Sequence, residues 1–208
     1  MLNTTELRWF YPGILPREIQ AWFSGDTLGE YLAQSEERED VYLYLPDCEY
    51  LGIKWRQKRL EIKLRKAELG ILRFGDNIAG KAEKWVKWAC EDPSTASLLP
   101  ADVVKQAPWL KIKKVRSQRK YQIGGDRLLT PVPIDTSIIQ GCNVEITQLW
   151  IKDNPWWTLA FEALGEDTNL EDNLKIIANF VLQNYPNLKL LVDNSYGYPL
   201  WLKYANRK

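Results

Sequence analysis

The segment LGIKWRQKRLEIKLRK, residues 51–66, decides how the rest of the chain is read. Two short runs alternate cationic and apolar residues on either side of a basic turn. At the two-residue period of a strand, Lys54 and Arg56 share one face and Ile53 and Trp55 the other. Glu61, Lys63 and Arg65 likewise oppose Leu60, Ile62 and Leu64. An antiparallel sheet with one wet face accounts for this alternation. A barrel with a polar interior that holds a polyanion accounts for it as well, and the remaining chain has to separate the two.

The 208 residues suffice for one domain, spanning 1–208, with a sizeable core. The hydrophobic share of 45% and the charged share of 26% are those of an ordinary globular protein. Lys and Arg number 28 against 27 Asp and Glu, so a net charge of +1 gives no overall pull toward nucleic acid or a membrane surface. Any cationic site is therefore local. The chain has no His, which removes Ser-His and Cys-His nucleophile pairs, imidazole acid–base catalysis and His-ligated zinc together. Cys48, Cys90 and Cys142 are far apart and odd in number, which suggests core thiols in a reducing compartment rather than disulfides or a thiolate metal site. The opening MLNTTELRWFYPG lacks the basic start and apolar run of a signal peptide, and no apolar stretch nears the roughly 18 residues of a membrane span. These features together predict a soluble, cytoplasmic protein.

Along the chain, TTELRWFY (4–11) reads as a strand stopped by Pro12 and Gly13. LPREIQAWFSG places Ile19, Trp22 and Phe23 on a helical stripe. REDVYLYLP (38–46) alternates again, and LGILRFG (69–75) either continues the sheet or turns it. GKAEKWVKWACED (80–92) fits a helix through Ala82, Trp85, Val86 and Ala89, or a long strand in which Trp85 and Lys87 lie in one row. LLPADVVKQA (98–107) reads as a short helix started by Pro100. WLKIKKVRSQRKYQIGG (109–125) is a strongly basic strand ended by Gly124, Gly125 and Asp126. GCNVEITQLWI and PWWTLAFEALG form a hairpin around KDNP. NLEDNLKIIANFVLQNY carries Leu170, Leu174, Ile177, Phe180 and Val181 on one helical stripe. About eight strands and a few helices result, in a single α+β domain.

Collected by strand, the alternating charges are Glu6 and Arg8; Lys54 and Arg56; Glu61, Lys63 and Arg65; Lys111 and Lys113 with Arg116 and Arg119 beyond; Glu145; and Glu162. If one sheet closes with these side chains inward, the lumen is a ring of cations with a few carboxylates, which has to pair internally or meet a ligand. A triphosphate suits it, since Arg forks bind phosphate oxygens bidentately and Lys adds point charge. Carboxylates in the same lumen would repel that ligand unless a divalent cation lay between them. Glu162 stands between Phe161 and Ala163 in an apolar strand, where an unpaired acid would cost several kcal/mol.

The order of these segments resembles the CYTH-like, or triphosphate tunnel metalloenzyme, superfamily. Its opening E-x-E-x-K strand is similar to Thr4-x-Glu6-x-Arg8, with the first acid missing. Its next strands resemble REDVYLYLP and GIKWRQKRLEIKLR, and its basic K-x-R strand resembles Lys114-x-Arg116 with Arg119 and Tyr121 nearby. The late acidic strands resemble Glu145-x-Thr147 and Ala160-x-Glu162, each with one acid replaced, and the tail SYGYPLWL resembles the helix that ends the domain.

The resemblance implies an eight-stranded antiparallel β-tunnel with a few flanking helices. It implies Mg2+ or Mn2+ held by Glu6, Glu145 and Glu162, one of which would also serve as base to a metal-bound water. Arg8, Lys54, Arg56, Lys63, Arg65, Lys114, Arg116 and Arg119 would hold the phosphates. Three readings stand at this point: a metal-dependent triphosphatase, a non-catalytic protein that keeps a phosphorylated ligand on a degraded metal site, and an interaction domain whose charged strands are only solvated. The expected partner is a phosphorylated small molecule, with neither membrane nor nucleic acid.

Overall fold

Alternation at period two runs through nearly all the strand-forming segments, and in the structure it curls one sheet into a closed ring. The computed structural model describes residues 2–57, 59–90, 105–186 and 188–207. Its strands are β1 (Leu2–Pro12), β2 (Glu36–Leu43), β3 (Leu51–Arg56), β4 (Arg59–Phe74), β5 (Ile78–Cys90), β6 (Trp109–Ile123), β7 (Leu129–Val132), β8 (Gly141–Ile151) and β9 (Asn154–Leu164). Three helices accompany them among the described residues: α1 (Arg17–Ser24), α2 (Leu170–Leu182) and α3 (Tyr198–Ala205). The sheet runs β2-β3-β4-β5-β1-β9-β8-β6, and β2 returns to pair with β6 from Glu36↔Arg116 to Leu43↔Trp109. That last pairing closes an eight-stranded antiparallel barrel. β7 pairs with the far length of β6, from Lys120↔Val132 to Ile123↔Leu129.

Local chemistry sets the corners. Lys152 and Asp153 both have positive φ (+48° and +65°), the left-handed pair that a two-residue hairpin between twisted strands demands. In β4, register shifts between Arg65 and Ala67 and between Glu68 and Gly70 bend the 16-residue strand, with Gly70 at φ +94° taking the conformation a side chain resists. Residues 69–74 thus continue the sheet. The segment from residue 80 is strand β5 and not a helix, because both its edges are hydrogen-bonded, to β4 and to β1. The short helix expected over 98–107 lies mostly outside the described residues.

Each barrel face has its own core. On the outside, α1 and α2 bring Ile19, Phe23, Leu174 and Ile177 against Leu7, Trp9, Val144, Leu159 and Phe161, all fully buried. Phe180, expected on that stripe, is 36% exposed and meets the Tyr121 ring edge-to-face at 5.8 Å between centroids. Of the thiols, only Cys142 is buried, and Cys90 is exposed, which corrects the expectation of three core cysteines. On the inside, the rows change from charged to apolar toward one end: Glu6-Arg8-Phe10 on β1, Asp40-Tyr42 on β2, Lys114-Ile112 on β6, Glu145-Thr147-Leu149 on β8. Helix α3 fills that end. Trp201 stacks on Phe10 at 5.1 Å and meets Trp156 edge-on at 6.2 Å. Among the described residues no helix is long and apolar enough to cross a membrane.

Trp201 is fully buried at the centre of this plug. Trp201→Ala should cost roughly 3–5 kcal/mol of stability, read as a fall in the guanidinium unfolding midpoint.

Candidate functional site

Between the plug and the opposite mouth lies a cavity of about 230 Å³. Eight cations (Arg8, Arg38, Lys54, Arg56, Lys63, Lys87, Lys114 and Arg116) line it against four carboxylates, Glu6, Glu61, Glu145 and Glu162. Its floor is the turn into α3, with Gly197, Tyr198 and Pro199. A Cβ on Gly197 would come within 2.8 Å of the Trp85 ring, so the floor sits where it does only because residue 197 is glycine.

The charges pair across strands. Asp40, fully buried at the side of the cavity, takes Lys114 at 2.9 Å, Arg38 at 3.3 Å and Lys54 at 4.0 Å. Glu61 collects Lys54 at 3.1 Å, Lys87 at 3.2 Å and Arg56. Glu145 takes Arg8 at 2.8 Å and Arg116 at 3.4 Å, and Arg116 also reaches Glu36. Lys63 stands between Glu6 and Glu162, donating to Glu162 at 2.9 Å. Lys114 donates to Tyr42 Oη at 2.7 Å and Tyr198 Oη at 3.1 Å, which with Asp40 satisfies all three of its N–H groups.

These contacts split the titrating groups. Burial would raise the Glu61 carboxyl, but Lys54, Arg56 and Lys87 outweigh it and bring it down to about 2. Asp40 and Glu145 are likewise held well below the usual carboxylate range by their cations, against the effect of burial. Burial would lower Lys63 too, yet Glu162 and Glu6 push it well above the ordinary lysine value. Lys54 goes the other way. Burial, then the neighbouring charges of Arg56 and Lys114, bring it down to about 7, and burial brings Lys114 down to about 8. Arg56 adds a buried Nε with no hydrogen-bond acceptor among the described residues.

The structure therefore brings Glu6, Arg8, Lys54, Arg56, Lys63, Lys114, Arg116, Glu145 and Glu162 around one cavity. It leaves two expected members out. Arg119 lies on the outer face, where its guanidinium donates to the carbonyls of Phe23, Gly25 and Gly29 at the end of α1, and it is a helix-terminating residue rather than a ligand-binding one. Arg65 is not among the cavity-lining residues and bonds Glu83 at 2.6 Å and Glu68 at 3.0 Å. Three others were missed. Arg38 and Asp40 lie in one period-two row of β2, a signal the sequence carried, and Lys87 lies in the segment whose helical and extended readings both stood. Glu6, Glu145 and Glu162 are not gathered as metal ligands: each faces a cation, and among the described residues no group of three or more Asp, Glu, Cys or His is placed to hold a metal ion.

No family profile matches this chain, and no curated protein matches its sequence. Among solved structures it is similar to a conserved hypothetical protein of Pyrococcus furiosus, at 14% identity over 95% of this chain and 98% of that one, with a TM-score of 0.44. It is also similar to a protein of Pyrococcus horikoshii OT3, at 10% identity over 99% of each chain, with a TM-score of 0.46. Likenesses this distant carry no argument, and the barrel rests on its own strand pairings.

Lys54 sheds its proton near pH 7 in the folded state but near 10.5 when unfolded. Between these values the unfolded chain binds more protons, so stability rises with pH, and Lys114 adds in the same sense from about 8. Unfolding midpoints measured at pH 7 and pH 9 should therefore increase, and Lys54→Met should flatten the increase.

Proposed function

We propose that the barrel binds a compact polyphosphate in its lumen, either inorganic triphosphate or the phosphate chain of an organic phosphate, as a divergent triphosphate tunnel protein of the CYTH-like kind. The observation that carries this reading is the excess of cations around one cavity: eight line it, against the four lining carboxylates and Asp40 and Glu36, which pair with them from β2. Such an excess among largely buried side chains raises the free energy of the fold, and an entering anion would offset it.

The cations are also of suitable kinds and in suitable places. Arg38 and Arg56 offer planar forks that match phosphate oxygens, and Lys54 offers point charge from the wall beside them. An anion beside Lys54 restores its proton, so affinity is highest below pH 7 and falls as the pH rises above the free-state value. Tyr42 and Tyr198, held by Lys114, close the floor beneath. Hydrolysis of the same ligand through Mg2+ or Mn2+ would require carboxylates free to take the ion. No observation favours that over binding, since Glu6, Glu145 and Glu162 are occupied by Lys63, Arg8 and Arg116.

Inorganic triphosphate at a hundredfold excess over its Kd should stabilise the protein by about 2.7 kcal/mol, or roughly 5–10 °C in Tm for a chain of this size. Losing one charge-assisted contact of about 1.5–3 kcal/mol should weaken binding roughly tenfold or more in Arg56→Gln or Lys54→Met. Arg119→Gln should lower stability and leave the affinity alone. A melting temperature unmoved by inorganic triphosphate, ATP or thiamine triphosphate would remove the proposal. Phosphate release with Mg2+ or Mn2+, lost on mutating Glu162, would replace binding by hydrolysis.

A further inference from the structure

Glu6 on β1 and Glu162 on β9 are direct register partners. Like charges opposed on neighbouring strands repel, and the repulsion grows in a space with little water. Glu83 on β5 is the register partner of Glu6 on the other side, so carboxylates stand in line on three adjacent strands. A row of this kind needs a cation, and in many proteins the cation is a divalent metal.

Here a side chain already stands in that place. Lys63 reaches from β4, past β5, and its ammonium donates to Oε1 of Glu162 at 2.9 Å and to Oε1 of Glu6. The other acids nearby are separately engaged. Glu83 takes Arg65 at 2.6 Å and Trp85 Nε1 at 3.1 Å, and Glu145 takes Arg8 at 2.8 Å. Glu6 and Glu162 are thus the two carboxylates that could hold a water-completed divalent ion here, and the oxygens that would hold it are bonded to nitrogen. Mg2+ sheds its waters reluctantly, while Lys63 is tethered in place and competes at the effective concentration of an intramolecular group.

We propose that Lys63 is a resident counter-cation, its ammonium occupying the position between Glu6 and Glu162 that a divalent metal would take, so that this lumen is built to work without one. On the polyphosphate reading above, the anion is then held by protein cations alone. The claim about Lys63 itself does not depend on that reading.

The test uses full-length protein stripped with EDTA, in buffer free of phosphate, with Mn2+ uptake followed by the electron paramagnetic resonance signal of the free ion. Wild type should leave Mn2+ free, Lys63→Met should take up one Mn2+ per chain, and Lys63→Met combined with Glu162→Gln should take up none. The proposal is overturned by wild-type uptake of one Mn2+ that Glu162→Gln abolishes, or by a folded Lys63→Met variant that binds none. If Lys63→Met does not fold alone, recovery of its circular dichroism with Mn2+ but not with K+ supports the proposal, and failure to recover overturns it. Because no phosphate is present, a negative result here leaves triphosphate binding standing, and failure of triphosphate binding leaves this result standing.

Discussion

A charge that points into a closed barrel is costly unless a counter-charge meets it there, because no second sheet can supply one. This constraint governs the molecule more than any single contact. Removing one partner of a buried ion pair typically costs 3–5 kcal/mol, since the survivor keeps its desolvation without its attraction. Asp40 and Glu61, both almost wholly buried, each meet three or more cations drawn from different strands. The ring closure through β2 and β6 is therefore electrostatic as well as hydrogen-bonded: Glu36 reaches Arg116, and Asp40 reaches Lys114, from one strand to the other. The aromatic plug serves the same end by filling with rings the part of the lumen that no charge lines.

The lumen is polarised. Six of its eight cations come from β2, β3, β4 and β6, whereas three of its four carboxylates come from β1, β8 and β9. Lysines on the two sides feel opposite fields. Lys63, reaching toward the acidic wall, is held charged, while burial, with Arg56 and Lys114 adding to it, drives Lys54 toward the neutral form. One residue type is thus shifted in opposite senses within a single cavity, although both lysines have carboxylate partners. On the polyphosphate proposal, the anion's place is beside Lys54 and the Nε of Arg56, which has no hydrogen-bond acceptor among the described residues.

Much of this was legible in the sequence, because a period of two fixes which residues share a wall whatever the tertiary fold. It sets Lys54 with Arg56 and Lys63 with Glu61; bringing these together with Glu145 and Glu162 took the further premise of a closed barrel, which the family resemblance supplied. The same rule, applied strictly, separates Arg119 from Arg116, since positions three apart on a strand point to opposite faces, and α1 then claims the outer one. What the sequence does not carry is partnership. Lys63 bonds groups 57 and 99 residues away, and only the strand order determines that it reaches them. Lys87 was hidden for another reason: its neighbours Trp85, Val86 and Ala89 suit a helix as well as a strand, and the choice was made by two paired edges rather than by local preference.

The positions where this chain departs from the acidic pattern it resembles also account for the lumen's charge. Ala160, at the centre of β9, is the register partner of Arg8 on one side and of Glu145 on the other. A methyl group there leaves the guanidinium of Arg8 free to cross the strand and bond Glu145 at 2.8 Å. An acid at 160 would intercept Arg8, release Glu145 and leave two carboxylates adjacent, which is the beginning of a metal site. Thr147, opposite Arg116, and Thr4, whose hydroxyl donates to Glu6, are neutral at two further inward positions. With acids at all three, nine carboxylates, Asp40 and Glu36 included, would meet the eight cations and leave no positive charge over. With Thr, Thr and Ala, six carboxylates, Asp40 and Glu36 included, face the eight cations, and Glu6, Glu145 and Glu162 are each held by a cation of the chain itself.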